Sequence, residues 1–199
     1  DTMTATGKDY CLLEEFIEGE MLGSEAMICD GELLYCLPNN IENYPGFVPT
    51  PIGHSVPYRK QKTLGEEVRS QVILALNALG MDNCPVNCDL MEKDGKIYVI
   101  EITGRAGGNC LPEIAGLYYG INYYEAIVRL AMDMDVKNLF AGKSLRPAVL
   151  SHILTSDKDG ILKQIHNENN PQPDLADLSF NVSPGDEIRH YENGRDRLG

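Results

Sequence analysis

The sequence lacks the features that mark several large classes of protein. No apolar run approaches the roughly 20 residues that a membrane-spanning helix requires. No basic segment followed by an apolar one opens the chain, so nothing in it indicates secretion. The six cysteines form no Cys-x-x-Cys pair, and several lie in apolar runs, as reduced thiols do. We therefore expect a cytoplasmic protein with no membrane partner and no structural zinc site.

Positive charge is also scarce. The 199 residues include 17 Lys and Arg against 30 Asp and Glu, which gives a net charge of -13. This excess of negative charge argues against a nucleic-acid backbone as a partner, although a small nucleotide needs only a local positive site. The length is sufficient for one domain with a substantial core, or for two small ones.

An acidic hairpin carries the most informative pattern. Residues 87–105 read as two strands joined by a tight turn, with Asp89 on the first strand and Glu101 on the second. Glu101 lies inside a β-branched run, where a carboxylate is costly unless something pairs with it. These two carboxylates are therefore candidates for metal ligands or catalytic groups.

The length of the turn decides whether the two carboxylates share a face. A two-residue turn would turn Glu101 away from Asp89, because side chains alternate along a strand. A three-residue loop at 93–95 would make them diagonal neighbours, roughly 7–8 Å apart, with Thr103 on the same face. Gly95 favours the three-residue loop, which ends on a left-handed residue. Converging carboxylates suit Mg²⁺ or Mn²⁺, and the alternative is a solvent-facing acidic surface.

The rest of the chain predicts an α+β fold. The helix at 63–79 begins with a Thr63/Glu66 capping box, buries a stripe that includes Leu79, and ends at Gly80. The other predicted elements are strands at 9–16, 22–29, 32–37, 148–155 and 176–182, helices at 111–119, 122–132 and 159–167, and loops at 38–62 and 169–173.

Two of the connecting segments carry candidate functional residues. His54, in the loop at 38–62, is either a loop histidine bonded to backbone or a residue beside a phosphate or substrate. The glycine-rich turn at 104–109 lacks the spacing of a Walker loop or a dinucleotide fingerprint. Its amides could face an anion with Arg105 as the charged clamp, or the turn could be a plain connection.

With these motifs in place, the chain resembles the ATP-grasp superfamily, and most closely the biotin carboxylase, carbamoyl phosphate synthetase and amino-acid ligase group. The resemblance covers nearly the whole sequence. It implies an antiparallel sheet flanked by helices in residues 1–146 and part of a small β-rich portion in 147–199. It also implies that the chain is a fragment, inactive alone, because the phosphate-gripping lysines of the family should precede Asp1.

The resemblance implies roles for particular residues. Glu15 and Ile17 would contact adenine through their backbones, with Phe16 between them and Glu14 beside them. Arg105 matches an arginine close to the acyl-phosphate chemistry, and Asp89, Glu101 and Thr103 match the three metal-side positions. The family more often has Asn where Thr103 stands. The ribose-contacting position is Met21, for which Glu20 or Glu25 would substitute.

The mechanism implied is the use of ATP, with Mg²⁺, to activate a small carboxylate as an acyl phosphate that an amine then attacks. No covalent enzyme nucleophile is needed, which agrees with the absence of a Ser-His or Cys-His constellation. A homodimer is a possible assembly. The alternatives are a non-catalytic ATP-grasp relative that serves as a binding or assembly module, and a plain acidic domain without a ligand.

Overall fold

The computed structural model describes residues 4, 6–45, 50–140, 145–168 and 172–199. Six antiparallel strands form the main sheet in the order β5-β4-β1-β2-β3-β6. These strands are β1 (Glu20–Cys29), β2 (Glu32–Tyr44), β3 (Thr50–Val56), β4 (Cys84–Lys93), β5 (Lys96–Thr103) and β6 (Val149–His152). A second sheet pairs β7 (Gly160–Ile161) with β8 (Glu187–Ile188). The predicted α+β class is confirmed.

Among the described residues, four helices accompany the main sheet. They are α1 (Gln61–Leu79), α2 (Leu111–Tyr119), α3 (Tyr123–Ala131) and α4 (Lys137–Phe140). None of the helices in the described ranges is long and apolar enough to cross a membrane.

The core lies on both faces of the sheet. Side chains alternate along each strand, so β1 sends Leu22, Ala26 and Ile28 towards α1 and Met27 to the other face. The first cluster includes Val68, Val72 and Leu76 of α1, and the second includes Leu111, Ile114 and Tyr123 of α2 and α3. The sheet is thus covered by α1 on one face, and by α2 and α3 on the other.

The strand predicted at 9–16 is wrong. Residues 7–19 form no strand, and the side chains of Leu12, Leu13 and Phe16 are exposed. The sheet instead begins at Glu20, where β1 pairs with β4 on one side and with β2 on the other. An apolar run without a neighbouring strand lacks the backbone partners that a sheet provides.

The long loop predicted at 38–62 is also wrong. The second strand continues through Pro38 to Tyr44, and β3 follows. Pro38 pairs with Ser24 of β1, and the β2–β3 pairs begin only at Asn40, so the proline lies where β2 has no β3 partner. A strand tolerates proline at such a position, because its missing N–H is not needed there. Residues 46–49 lie outside the described part of the chain.

The main helix is confirmed, but its predicted start is wrong. It begins at Gln61 after Lys60, without a side-chain cap, and Thr63 Oγ1 donates to the Lys60 carbonyl at 3.1 Å. The Thr63/Glu66 capping box therefore does not form. Gly80 ends the helix in the left-handed conformation, as predicted.

The C-terminal half agrees with the prediction only in part. Helix α2 is confirmed, and the strand at 148–155 is confirmed in its middle as β6. The helix at 159–167 and the strand at 176–182 are wrong, because those residues form only β7 and irregular backbone. The loop at 169–173 falls partly on residues 169–171, outside the described ranges. Strand β6 pairs with β3 inside the main sheet, and the domain boundary at 146 stays a prediction.

We predict that Leu76→Ala destabilises the chain by about 2–5 kcal/mol, because Leu76 is fully buried against the sheet and its loss leaves a cavity. The matched control is Leu79→Ala on the same helix. The sequence places Leu79 in the buried stripe, but its side chain is 61% exposed. This control should stay within about 0.5 kcal/mol of the wild type. Urea unfolding followed by circular dichroism measures both, and equal losses would contradict the prediction.

Candidate active site

The acidic hairpin forms, but its turn has two residues rather than three. Lys93 pairs with Lys96, and Asp94 and Gly95 both have positive φ, at 53° and 78°. This is the conformation of the two-residue hairpin turns that match the twist of the strands. The three-residue loop predicted at 93–95 is therefore wrong.

The extra residue needed to align the carboxylates lies further along β5. Leu90 pairs with Val99, and the next pair is Asp89 with Glu101, so Ile100 is an additional residue in a β-bulge. Asp89 and Glu101 consequently share a face as direct cross-strand partners, and not as the diagonal neighbours that the sequence predicted. The Cβ atoms of such partners lie about 4.5–5.5 Å apart.

The carboxylates face away from α1. On β4, Val86, Cys88 and Leu90 are fully buried in the cluster against α1, whereas Asn87 and Asp89 alternate with them and are half-buried. Thr103 follows Glu101 on the same face and pairs with Asn87. Its hydroxyl lies 3.4 Å from the Asn87 carbonyl oxygen.

Glu25 joins the same face from the neighbouring strand. It is the cross-strand partner of Asn87, and its carboxylate is 0% exposed. Glu25 Oε1 accepts from Asn87 Nδ2 at 2.8 Å, and both of its oxygens accept from the Gly107 N–H, at 3.1 and 3.2 Å. Burial raises the pKa of Glu25 to about 7, although these hydrogen bonds and the charge of Arg105 act in the opposite direction.

The glycine-rich turn therefore lies against β1. A Cβ at Gly107 would come within 2.5 Å of Glu25 Oε1 and 2.6 Å of Leu111 Cδ1, so a larger residue requires these side chains to shift. Arg105 on this turn is exposed, and its Nη1 donates to the Ala106 carbonyl at 2.8 Å. That Arg105 clamps an anion stays a prediction. Its exposed guanidinium is accessible to such a ligand.

Electrostatics link Arg105 to the carboxylate pair. The pKa of Asp89 is raised by burial and then by the charge of Glu101, whereas Arg105 lowers it. The three groups are thus close enough for their charges to interact. Two like charges directly opposite on a sheet are unfavourable unless a cation lies between or beside them.

The composition of the pair fits a hard divalent cation. Its donors are carboxylate oxygens, as Mg²⁺ prefers. Within the described ranges, no group of three or more His, Cys, Asp and Glu side chains is placed to hold a metal. Asp89 and Glu101 would therefore leave most of the coordination sphere to water or to a ligand, which is usual for Mg²⁺.

His54 is not in a loop, contrary to the prediction. It lies on β3, is 6% exposed, and its Nδ1 is 3.1 Å from Asn39 Oδ1. Burial lowers its pKa to about 4. Asn39 pairs with Gly23 of β1, and its buried Nδ2 has no hydrogen-bond partner among the described residues. His54 is therefore held near a buried amide rather than presented on a flexible segment.

The remaining predicted residues are not gathered at the carboxylate pair. Glu20 lies on the other face of β1 from Glu25, where its carboxylate meets Arg59 at 2.7 Å and Lys60 at 3.1 Å. The segment 14–17 precedes β1 without joining the sheet, and only Ile17 in it is half-buried. Glu14, Glu15 and Phe16 are exposed.

Sequence reasoning missed three residues that contribute to this face, namely Asn39, Asn87 and Gly107. Asn87 alternates with Asp89 on one strand, and this pattern was a usable signal. Asn39 has no such signal, because its segment predicts a loop although it forms part of β2. The importance of Gly107 depends on Glu25, which is 82 residues earlier in the chain and has no local signature.

Three known proteins illustrate what the chain is similar to, although no family model matches it. A phosphoribosylglycinamide synthetase from Anaerococcus prevotii is 38% identical and superposes with a TM-score of 0.89 over 99% of this chain and 51% of its own. An L-amino acid ligase from Bacillus licheniformis is 19% identical, with a TM-score of 0.73 over 92% of this chain and 46% of its own. An uncharacterised protein from Sinorhizobium fredii is 27% identical over 94% of this chain and 38% of its own.

The chain therefore spans about half the length of the solved structures that it matches, and less of the curated relative. The likeness to the synthetase extends over the hairpin, the glycine-rich turn and the C-terminal portion, because it covers 99% of this chain. The likeness to the amino acid ligase, at 19% identity, concerns the fold alone.

We predict that Glu25 makes stability depend on pH. Its folded pKa of about 7 exceeds the usual value of 4.5, so its contribution is fully present below pH 4.5 and is lost as pH rises through 7. Relative to Glu25→Gln, the wild type should lose on the order of 3 kcal/mol of unfolding free energy between pH 4.5 and 8. Urea unfolding of both proteins across this range measures the difference. Subtracting the unfolding free energy of the variant from that of the wild type removes the contribution of His54, which rises with pH because its pKa is lowered. A difference between the two proteins that does not change with pH would contradict the prediction.

Proposed function

The chain has the ATP-grasp fold, and on this premise we propose that it is the nucleotide- and metal-binding portion of an ATP-dependent ligase that joins a carboxylate to an amine. The observation that carries the proposal is the Asp89–Glu101 cross-strand pair, which faces away from the α1 core with Arg105 close enough to lower the pKa of Asp89. This combination supplies oxygen ligands for a cation and a guanidinium for an anion.

Asp89 and Glu101 would hold Mg²⁺ or Mn²⁺, with Thr103 as a neighbouring hydroxyl. When bound, the cation would neutralise charge on the phosphate oxygens of ATP. The half-buried position of Asp89 supports this assignment, because a desolvated carboxylate beside a second one gains most from a divalent partner.

Arg105 would bind the carboxylate substrate or its phosphorylated form. Its planar guanidinium presents paired N–H donors that match paired oxygens, and the side chain is exposed to receive them. The present bond to the Ala106 carbonyl uses one nitrogen of the group, so other donors stay available.

The nucleotide base would lie against the segment 14–17. In this proposal the backbones of Glu15 and Ile17 contact adenine, while the exposed ring of Phe16 and the nearby Glu14 flank it. Glu20 remains the proposed ribose contact in place of Met21, because Glu25, the other candidate, lies on the opposite face of β1 and is fully buried. His54 would lie on the substrate side, as a neutral imidazole because of its lowered pKa.

The proposed reaction has two steps. The carboxylate substrate attacks the terminal phosphorus of ATP, which forms an acyl phosphate and releases ADP. The amine then attacks the acyl carbon, so that a C–N bond forms, the C–O bond to phosphate breaks and inorganic phosphate leaves with the electron pair. Positioning and charge neutralisation account for such chemistry without a covalent enzyme intermediate.

A non-catalytic binding module is the second candidate. Thr103 favours it, because a hydroxyl is a weaker metal-side group than the amide more common in the family, and this hydroxyl points to a strand carbonyl. Met21 favours it as well, since a thioether offers ribose only a weak acceptor. Such a protein would bind the nucleotide without turnover.

We predict that the 199-residue chain binds Mn²⁺ and that Asp89→Asn combined with Glu101→Gln weakens the affinity at least tenfold, because the variant has no ionised ligand on this face of the hairpin. Electron paramagnetic resonance of free Mn²⁺ measures the binding. Asp94→Asn is the matched control, since Asp94 lies exposed in the turn of the same hairpin and Asn also adopts positive φ. A double variant that binds as well as the wild type would remove the metal assignment.

For the full-length protein, we predict release of ADP and phosphate that requires Mg²⁺, a carboxylate and an amine together. Asp89→Asn with Glu101→Gln should lower this turnover by about 100-fold or more, a loss of at least about 2.7 kcal/mol of transition-state stabilisation. Coupled assay of ADP across panels of amino acids and other small carboxylates is the measurement. Nucleotide binding without any turnover in the panel would instead favour the binding module.

A further inference from the structure

We propose that Glu25 is a positioning residue, whose buried carboxylate fixes the glycine-rich turn against β1 and thereby sets the place of Arg105 beside Asp89 and Glu101. The inference deepens the proposed function and rests on it for the role of Arg105. The attachment of the turn to Glu25, however, follows from contacts alone. This role differs from the ribose contact for which Glu25 was a candidate.

The first argument is that the acceptors of Glu25 are already occupied. Oε1 receives Asn87 Nδ2 at 2.8 Å and the Gly107 N–H at 3.1 Å, and Oε2 receives the same N–H at 3.2 Å. The side chain is 0% exposed. A carboxylate enclosed in this way presents no accessible oxygen to a ligand, whereas it joins β4, β1 and the turn.

The second argument is that the turn has few other polar anchors. Within the described part of the chain, the other polar contact between the turn and the sheet is Ser151 Oγ of β6, which donates to the Asn109 carbonyl at 3.2 Å. These two contacts lie at Gly107 and Asn109, whereas Arg105, among the described residues, hydrogen-bonds to the carbonyl of its own neighbour Ala106. The guanidinium is therefore carried by the turn, and its distance from Asp89 depends on where the turn lies.

The third argument is steric. A Cβ at Gly107 would approach Glu25 Oε1 to 2.5 Å, Leu111 Cδ1 to 2.6 Å and Asn87 Nδ2 to 2.9 Å. The turn thus packs closely against the carboxylate, and a methyl group added at residue 107 requires Glu25, Leu111 and Asn87 to shift. Truncation of Glu25 and extension of Gly107 perturb the same contact, which allows it to be tested from both sides.

The experiment uses the 199-residue chain and amide hydrogen exchange read by NMR. Protection of the Gly107 amide should fall at least tenfold in Glu25→Ala and in Gly107→Ala, and the double variant should lose no more than either single one. Glu25→Gln keeps one acceptor and should restore part of the protection. Glu66→Ala, which removes an exposed carboxylate on α1, is the control and should leave Gly107 unchanged.

A second readout reports the position of Arg105. With Mn²⁺ as the probe, relaxation enhancement of the Arg105 Nε–H signal should fall by half or more in Glu25→Ala, while Mn²⁺ affinity stays within threefold of the wild type. A role confined to stability would not move this signal in the folded protein. Glu25→Gln should recover part of it.

The outcomes separate the two proposals. Unchanged Gly107 protection in Glu25→Ala overturns the positioning role, and so does a loss of Mn²⁺ affinity equal to that of the Asp89→Asn, Glu101→Gln variant, since Glu25 would then be a ligand. If the wild type binds no Mn²⁺, the metal assignment of the proposed function fails. The exchange measurement still decides whether Glu25 holds the turn. Gly107→Ala keeps the test valid should Glu25→Ala not fold.

Discussion

The β-bulge at Ile100 is the constraint on which the candidate site depends. With regular pairing after the two-residue turn, Asp89 would meet Ile100, and Glu101 would point into the cluster beneath α1. A charge there would be desolvated without a partner. The additional residue reverses the alternation of β5 at this point, so both carboxylates reach the face that α1 does not cover.

The sequence predicted this arrangement by an incorrect route. The prediction that Asp89 and Glu101 share a face is correct. Because side chains alternate along a strand, this arrangement requires one residue more than regular pairing after a two-residue turn provides. Gly95 offered a place for that residue, but Asp94 and Gly95 together form the tighter turn. A bulge inside the β-branched run has no local signature, because its position is set by the packing of neighbouring strands. The predicted face was therefore correct, whereas the loop length and the diagonal register were wrong.

Elements with strong local signals were predictable, and elements defined by distant partners were not. The helix ending at Gly80 and helix α2 follow from periodicity and glycine stops. The run at 9–16 has the apolar residues of a strand, yet it has no neighbour in the sheet. The sequence of residues 50–56 lacks a regular strand pattern, and yet these residues form β3, which pairs with β2 and β6. The same holds for the site residues. Asp89 and Glu101 lie close in sequence and were predictable as a pair, whereas the contact between Glu25 and Gly107 spans 82 residues and was not.

The three acidic side chains of this face have different environments, and this difference separates their roles. Glu25 is enclosed, and its three hydrogen-bond contacts offset only part of the desolvation that raises its pKa to about 7. Asp89 and Glu101 oppose each other and leave their charge to be balanced from outside. Arg105 lowers the pKa of both Glu25 and Asp89, so its charge acts on the enclosed carboxylate and on the open pair. In the proposed ligase, a cation at the open pair would lessen the attraction of Asp89 for the guanidinium, which would free Arg105 for an anionic substrate while Glu25 keeps the turn in place.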